Sequence, residues 1–244
     1  MRLIIDIGNT LLKYAVFHQN KIIDLRFDQA LSLKIVDSIY RKYPGITSAF
    51  IASVRKDNQQ YHEIFSGKFS FLEFNNSTLL PITNRYNTPE TLGKDRLAAA
   101  IGASAIFPKK NVLSVDAGTC ITYDLINKNA EYLGGGISAG IRMRYNALHS
   151  FTGNLPLVKP EFEKEINLIG KSTEESIQSG VQNAVLAEVD AVINQYKDQF
   201  EDLKIIVTGG DYKYFDKYLK NNIFASPNLV LIGLKKILDF NENK

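Results

Sequence analysis

One short pattern occurs twice in this chain, and it limits the possible folds more than any other feature. Asp6-Ile7-Gly8 follows the apolar run Leu3-Ile4-Ile5 and leads through Asn9, Thr10, Leu11, Leu12 and Lys13 into a second apolar run, Tyr14 to Phe17. Asp116-Ala117-Gly118-Thr119 follows Leu113-Ser114-Val115 with Asp and Gly at the same spacing. The offset of 110 residues is nearly half of the 244-residue chain, as expected for an internally duplicated unit.

Each copy reads as a β-hairpin. In the first, Gly8-Asn9 forms the tight turn, since both residue types tolerate positive φ. Such a turn points consecutive backbone N–H groups into one space, where Thr10 adds a hydroxyl and Lys13 a cation. Together they form an anion cradle. Asp6 fits there only if a metal ion stands between it and the anion, and a polyphosphate with Mg²⁺ satisfies every group. A plain hairpin with Asp6 capping its turn is the simpler alternative, but the recurrence at Asp116 weighs against it.

Composition narrows the class. Hydrophobic residues at 45% and charged residues at 23% fit a globular chain able to bury roughly 70–75% of its unfolded surface. Lys+Arg of 29 against Asp+Glu of 26 leaves +3, with the basic residues dispersed, so no nucleic-acid partner is expected. The single cysteine, Cys120, excludes an intrachain disulfide and suggests a reducing compartment. His18, His62 and His149 have no metal-ligand spacing with it. With no apolar run of membrane-spanning length and no signal-peptide pattern, a cytoplasmic protein without a membrane partner is expected.

Taken in order, the first hairpin leads to a third strand over Ile22 to Phe27 and a helix capped by Ser32 and stopped by Pro44-Gly45. Strands follow at Phe50 to Val54 and Phe69 to Phe74, with a short helix near Tyr61 between them. Pro108-Lys109-Lys110-Asn111 marks the boundary between an N-terminal lobe, 1–110, and a C-terminal lobe, 111–244. The second lobe restarts with strands at Val112 to Val115, Cys120 to Ile126 and Tyr132 to Ile137, the last containing Gly134-Gly135-Gly136. A helix with Ile141, Tyr145 and Leu148 follows, then a long helix opened by Gly170 to Ser176. A buried strand from Lys204 ends in Gly209-Gly210, where a flat ring can lie against the backbone. A strand at Leu229 to Ile232 and a helix from Leu234 to Phe240 complete an α/β chain of mixed sheets flanked by helices.

The irregular stretch 75–93 is long enough to suggest function, and it delivers Tyr86 and then Gly93-Lys94-Asp95-Arg96. Leu97 to Ile101 is strongly helical, so Asp95 stands at a helix N-terminus, where the dipole keeps a carboxylate ionised. It serves there as an N-cap or as the proton acceptor for an alcohol. Ser172 and Thr173 are both suitable N-caps.

Together these residues resemble the acetate and sugar kinase, Hsc70 and actin superfamily, whose members place two duplicated ribonuclease-H-like lobes around a nucleotide cleft. Within it the chain is similar to the type III pantothenate kinases. The matching elements are Asp6 to Thr10 with Lys13, Tyr86, Gly93 to Arg96, Asp116 to Thr119, and Gly170 to Gly180 containing Thr173. Ala139 departs from the proline usual at its position. The resemblance implies ATP-dependent phosphorylation of pantothenate to 4′-phosphopantothenate, the first step toward coenzyme A, by a homodimer using Mg²⁺ and a monovalent cation (K⁺ or NH₄⁺). By the same resemblance, Asp6, Ile7, Gly8, Asn9, Thr10, Leu11, Leu12 and Lys13 bind ATP phosphates, with Asp6 a possible water-mediated Mg²⁺ ligand, and Thr119 contacts ATP. Tyr86, Gly93, Lys94, Asp95, Arg96 and Thr173 hold pantothenate, Asp95 accepts the proton, and Asp116 holds the monovalent cation. The rival readings are another small-molecule kinase of the superfamily and a non-catalytic nucleotide-binding regulator.

Overall fold

In the computed structural model, residues 1–8, 12–53, 64–65 and 67–243 are described. The chain forms two units, residues 1–106 with 229–244, and residues 107–228. The sequence boundary near residue 110 falls close to the first crossing between them. The end of the chain does not remain in the second unit as expected. It returns to the first.

The first unit is built on β1 (Arg2–Ile7), β2 (Leu12–His18), β3 (Lys21–Asp28), β4 (Ser48–Ser53) and β5 (Ser70–Glu73), in the spatial order β3-β2-β1-β4-β5. Strand β1 pairs antiparallel with β2 and parallel with β4. Being central, β1 is apolar on both faces: Leu3, Ile4 and Ile5 are all fully buried. Leu3, Ile5 and Ile7 pack with Val36 and Ile39 of α1 (Leu33–Lys42). Ser32 caps that helix, its Oγ accepting from the Ile35 N–H at 3.4 Å. The helix expected near Tyr61 lies outside the described residues.

After a two-residue strand, β6 (Thr83–Asn84), and a 3₁₀ turn (Pro89–Thr91), helix α2 (Lys94–Ile106) begins at the Gly-Lys-Asp-Arg segment. It packs against the last helix of the chain, α7 (Leu229–Glu242), which also contacts β1 and β4. The two helices cross at glycines. A Cβ on Gly233 would stand 1.8 Å from the Ala98 carbonyl oxygen, and one on Gly102 2.4 Å from that of Leu229. This crossing corrects the expected strand at Leu229 to Ile232. An apolar run of that length is ambiguous by periodicity, and packing against α2 makes it one continuous helix.

The second unit repeats the plan with β7 (Val112–Ala117), β8 (Cys120–Ile126), β9 (Glu131–Ala139), β10 (Lys204–Thr208) and β11 (Phe224–Ala225), neighbours running β11-β10-β7-β8-β9. Reversed, that is the order of the first sheet, antiparallel hairpin and parallel neighbour included. The duplicated Asp-x-Gly pattern thus belongs to two copies of a ribonuclease-H-like unit. Helices α3 (Ile141–Ser150), α4 (Thr173–Gln178), α5 (Ala184–Gln199) and α6 (Tyr212–Tyr218) complete it. Their apolar residues, Tyr145, Ile177, Val185, Val189 and Phe215 among them, bury one face of the sheet with Leu113, Val115 and Ala117.

The long helix expected after Gly170 is interrupted by a π turn (Ser179–Asn183) between α4 and α5. Gln182, fully buried there, accepts from Tyr145 Oη at 2.8 Å and from the Glu161 N–H at 2.9 Å, and donates to the Glu161 carbonyl at 2.6 Å. These bonds tie the irregular segment before α4 to the helix. The extra residue of a π turn aims a side chain that a regular helix would turn elsewhere.

Candidate active site

Each Asp-x-Gly carboxylate stands at the end of a central strand. In the first unit Asp6 lies opposite Lys13 and Ile7 opposite Leu12. The tight turn expected at Gly8-Asn9 runs into Asn9, Thr10 and Leu11, which lie outside the described residues. Asp6 and Lys13 are half-buried and share a face of the ladder, so carboxylate and ammonium flank the connection. Asp6 continues the row of Ile4, on the side of the sheet opposite the α1 core and shared with α2 and α7.

At the second hairpin Ala117 pairs with Ile121, and the Gly118 N–H donates to the Cys120 carbonyl at 2.9 Å, leaving Gly118-Thr119 as its tip. Here Asp116 lies opposite Thr122. Two later segments close on this tip. Gly140, ahead of α3, donates its N–H to the Thr119 carbonyl at 3.1 Å, and a Cβ there would meet the Gly118 carbonyl at 2.2 Å. Gly209, just after β10, has φ +94°, and a Cβ there would stand 2.4 Å from Asp116 Oδ1. The Asp211 N–H donates to the Ala117 carbonyl at 2.9 Å. Gly135 pairs with Asp124, four residues beyond Cys120 at the start of β8. Its Cα side presses on the Tyr123 backbone across β8, so this glycine serves sheet packing.

The segment Gly93 to Arg96 opens α2 as expected. Asp95 Oδ1 accepts from the Arg96 N–H at 2.9 Å, which leaves Oδ2 for another donor. A Cβ on Gly93 would lie 2.6 Å from Oδ1, so the glycine gives this carboxylate its room. Arg96 is 7% exposed, with its guanidinium carbon 5.8 Å from the Tyr86 ring centroid. The structure thus brings Tyr86, Gly93, Asp95 and Arg96 together within the first unit. Lys94 lines a neighbouring cavity of about 330 Å³ with Asn84, Leu92 and Leu97. Thr173 belongs to the second unit, exposed at the first position of α4. Ser172 is the cap there, its Oγ accepting from the Glu175 N–H at 3.2 Å.

Two further arginines stand on α3. Arg144 is fully engaged, donating to Ala139 O at 2.9 Å, Ser138 Oγ at 3.0 Å and Glu188 Oε2 at 2.7 Å. Burial, with the Glu188 charge adding and Arg144 partly offsetting, raises the nearby Tyr123 hydroxyl far above its ordinary pKa. Arg142 Nη1 donates to Asp211 Oδ1 at 2.8 Å. In the sequence, nothing distinguishes Asp211 beyond its place after Gly209-Gly210. Only its partner on α3, 69 residues away, marks it out.

Asp6 in the first unit and Asp116 in the second each carry hard carboxylate oxygens, the donor type Mg²⁺ accepts. Among the described residues no cluster of three or more His, Cys, Asp or Glu could hold a metal alone. No helix among the described residues is long and apolar enough to cross a membrane.

Two units of this topology, each presenting an Asp-x-Gly turn at the end of its central strand, define a protein of the two-lobed sugar-kinase fold class. A Campylobacter jejuni protein provisionally described as a Baf family transcriptional activator matches 99% of this chain and 100% of its own at TM-score 0.64 and 21% identity. A Listeria monocytogenes protein provisionally assigned as an N-acetylmannosamine kinase matches at TM-score 0.54 and 12% identity, covering 98% and 99% of the two chains. The sequence narrows the class. The type III pantothenate kinase model matches residues 2–195, and the type III pantothenate kinase of Christiangramia forsetii is 43% identical over the full length of both chains. The chain belongs to the type III pantothenate kinase family.

Proposed function

We propose that this chain phosphorylates pantothenate with ATP, the reaction that gives its family its name, and that each hairpin has a distinct part in it. Full-length identity to curated pantothenate kinases carries the reading of the reaction. The residue roles rest on the geometry and the resemblance. ATP is the co-substrate, and a divalent ion, when bound, neutralises phosphate charge.

Phosphoryl transfer has a loose transition state, so the protein's work is positioning and charge neutralisation. Residues 6–13 receive the phosphates, with Lys13 supplying positive charge and Asp6 meeting the divalent ion through water. Thr119 and the glycines around it contact the nucleotide from the second unit. Tyr86, Gly93, Lys94, Arg96 and Thr173 hold pantothenate. Arg96, buried against Tyr86 beside Asp95, is the proposed partner for its carboxylate, supported by its place next to the proposed proton acceptor. Asp95 Oδ2 accepts the proton of the attacking hydroxyl while Oδ1 stays on the Arg96 N–H.

Asp116, pressed against the Gly209 backbone, is the proposed holder of a monovalent cation, K⁺ or NH₄⁺. By the family resemblance the protein acts in the cytoplasm as a homodimer, and the exposed apolar side chains of Phe151, Leu168 and Ile169, 88%, 79% and 77% accessible, support the dimer. The decisive experiment is an ADP-release assay with pantothenate, several sugars, acetate and no acceptor. Turnover with pantothenate alone is expected. Equal turnover with a sugar, or with no acceptor, defeats the reading.

A further inference from the structure

We infer that Arg142 is the stacking platform for the base of the nucleotide, and that Asp211 is the residue that positions it. The inference rests on the proposed use of ATP and adds a contact to it.

Arg142 lies in the first turn of α3, two residues after Gly140, whose backbone abuts Gly118 and Thr119. Asp211 follows Gly209-Gly210 and is bonded through its N–H to Ala117. The Arg142–Asp211 pair therefore joins the two segments that close on the second Asp-x-Gly turn. A Cβ on Gly210 would meet nothing within 4 Å, so open space adjoins the pair.

The pair itself is unusual. The Arg142 side chain is 61% exposed, yet it is fixed on two sides. Its Nη1 is 2.8 Å from Asp211 Oδ1, and its guanidinium carbon lies 5.1 Å from the Phe162 ring centroid. The Asp211 side chain is only 5% exposed, and its Oδ2 is buried with no hydrogen-bond partner among the described residues. Burying a carboxylate costs several kcal/mol unless it is well paired. Keeping one buried beneath a single exposed arginine makes sense if the orientation of that arginine matters. Arg144, two residues along, shows the contrast: all its bonds go to the fold itself.

The chemistry selects the base over the phosphates. Asp211 already balances the guanidinium charge along one edge, so an approaching polyphosphate would meet the carboxylate as well. Much of the guanidinium remains open to solvent, since the side chain is 61% exposed despite its contacts with Asp211 and Phe162. A guanidinium stacks well on flat aromatic rings, so its exposed part suits a base laid against it. Beside it, the glycine backbone offers no side chain to obstruct the ribose.

The test compares two probes on the full-length protein with Mg²⁺ present: calorimetric binding of ATP and of inorganic tripolyphosphate. Arg142→Ala is expected to weaken ATP roughly 5- to 30-fold, the range for a desolvated stacking contact, and to leave tripolyphosphate within twofold. The KM for ATP should rise in step, with the pantothenate KM at its wild-type value. Arg142→Lys keeps the charge but loses the plane, so it should behave like alanine. Asp211→Asn should give a smaller rise in the ATP KM through a looser Arg142. The inference is overturned if Arg142→Ala leaves ATP binding unchanged, if it weakens both probes equally, if lysine restores affinity, or if only the pantothenate KM moves. Should Asp211→Asn not fold, the Arg142 variants decide alone. A wild-type protein that binds ATP without phosphorylating pantothenate would defeat the functional reading and leave this one standing.

Discussion

The two units share a strand order and a carboxylate at the same place, but the two hairpins differ in what faces that carboxylate. Asp6 lies across the ladder from Lys13, in a row that continues into fully buried Ile4 and Ala15. Asp116 lies across from Thr122, in a row with buried Ser114 and Asp124. The first hairpin adds charge beside an apolar sheet face. The second adds hydroxyls and close-packed backbone, with Gly140 and Gly209 pressed onto its tip. A duplicated scaffold thus fixes where two carboxylates stand and leaves their neighbours free to diverge. The proposed division follows from those neighbours: charge neutralisation and acceptor chemistry in the first unit, nucleotide and cation contacts in the second.

The largest expected effect tests whether the proton acceptor belongs to the first unit. Asp95 is the second residue of α2, inside the helix rather than its N-cap, and Asp95→Asn keeps a side-chain oxygen for the Arg96 N–H, so Tm should stay near wild type. Loss of a proton acceptor typically costs 10²–10⁴ in rate, and the loose transition state favours the lower part of that range. Steady-state kinetics on the folded variant decide it. A wild-type kcat would reduce Asp95 to a local acceptor for the Arg96 N–H and send the search to Asp116.

Next is the contrast between the two cross-strand partners. Lys13→Ala should lower kcat/KM for ATP by on the order of 10², the typical loss for one stabiliser of transition-state charge. Thr122→Ala removes a 3.0 Å hydrogen bond to the buried Asp124 and should cost about 1.5–3 kcal/mol of stability, with little change in ATP kinetics. Equal kinetic damage from both would erase the asymmetry.

Gly209→Ala probes the crowding peculiar to the second hairpin. A non-glycine residue at φ +94°, with its Cβ driven toward Asp116 and the Ala117 carbonyl, should destabilise by about 2–3 kcal/mol. For a chain this size that lowers Tm by roughly 5–10 °C, measurable by calorimetry.

A smaller effect concerns the cation. At saturating Mg²⁺, activity should rise when K⁺ or NH₄⁺ replaces Na⁺, and Asp116→Asn should blunt that response while Asp6→Asn keeps it. Equal rates of the wild type in Na⁺ and K⁺ would remove the ion from the second hairpin.

The smallest effect lies on β3, outside both hairpins. Burial pushes the Asp24 carboxyl up, but hydrogen bonds from Lys42, Tyr43 and Arg26 outweigh it and hold the group below its ordinary 3.8. A depressed carboxyl stabilises the fold above the unfolded-state value, and that contribution is lost as pH falls through the folded one. Asp24→Asn should therefore flatten the acid limb of the stability curve below about pH 4 and leave Tm at pH 7 only slightly lowered. An unchanged acid limb in urea titrations would show that other carboxylates set it.

Local chemistry is enough to reveal much of this protein from its sequence. The repeated Asp-x-Gly between apolar runs announces two hairpins, because strand periodicity and turn residues are properties of neighbours in the chain. Ser32 and Ser172 mark helix starts for the same reason, and the helical run after Gly93 to Arg96 places Asp95 at a helix N-terminus. What the sequence leaves open depends on contacts between distant residues. Leu229 to Ile232 reads equally well as strand or helix, and its packing through Gly233 onto Ala98 makes it helix and returns the chain to the first unit. The π turn at Ser179–Asn183 forms where Gln182 meets Glu161 and Tyr145, partners 21 and 37 residues away. Asp211 and Arg142 are unremarkable 69 residues apart, and only the closure of β10 and α3 onto one hairpin tip makes them a buried pair. Periodicity is written along the chain, whereas the pairing of charges and the crossing of helices exist only once the chain has folded back on itself.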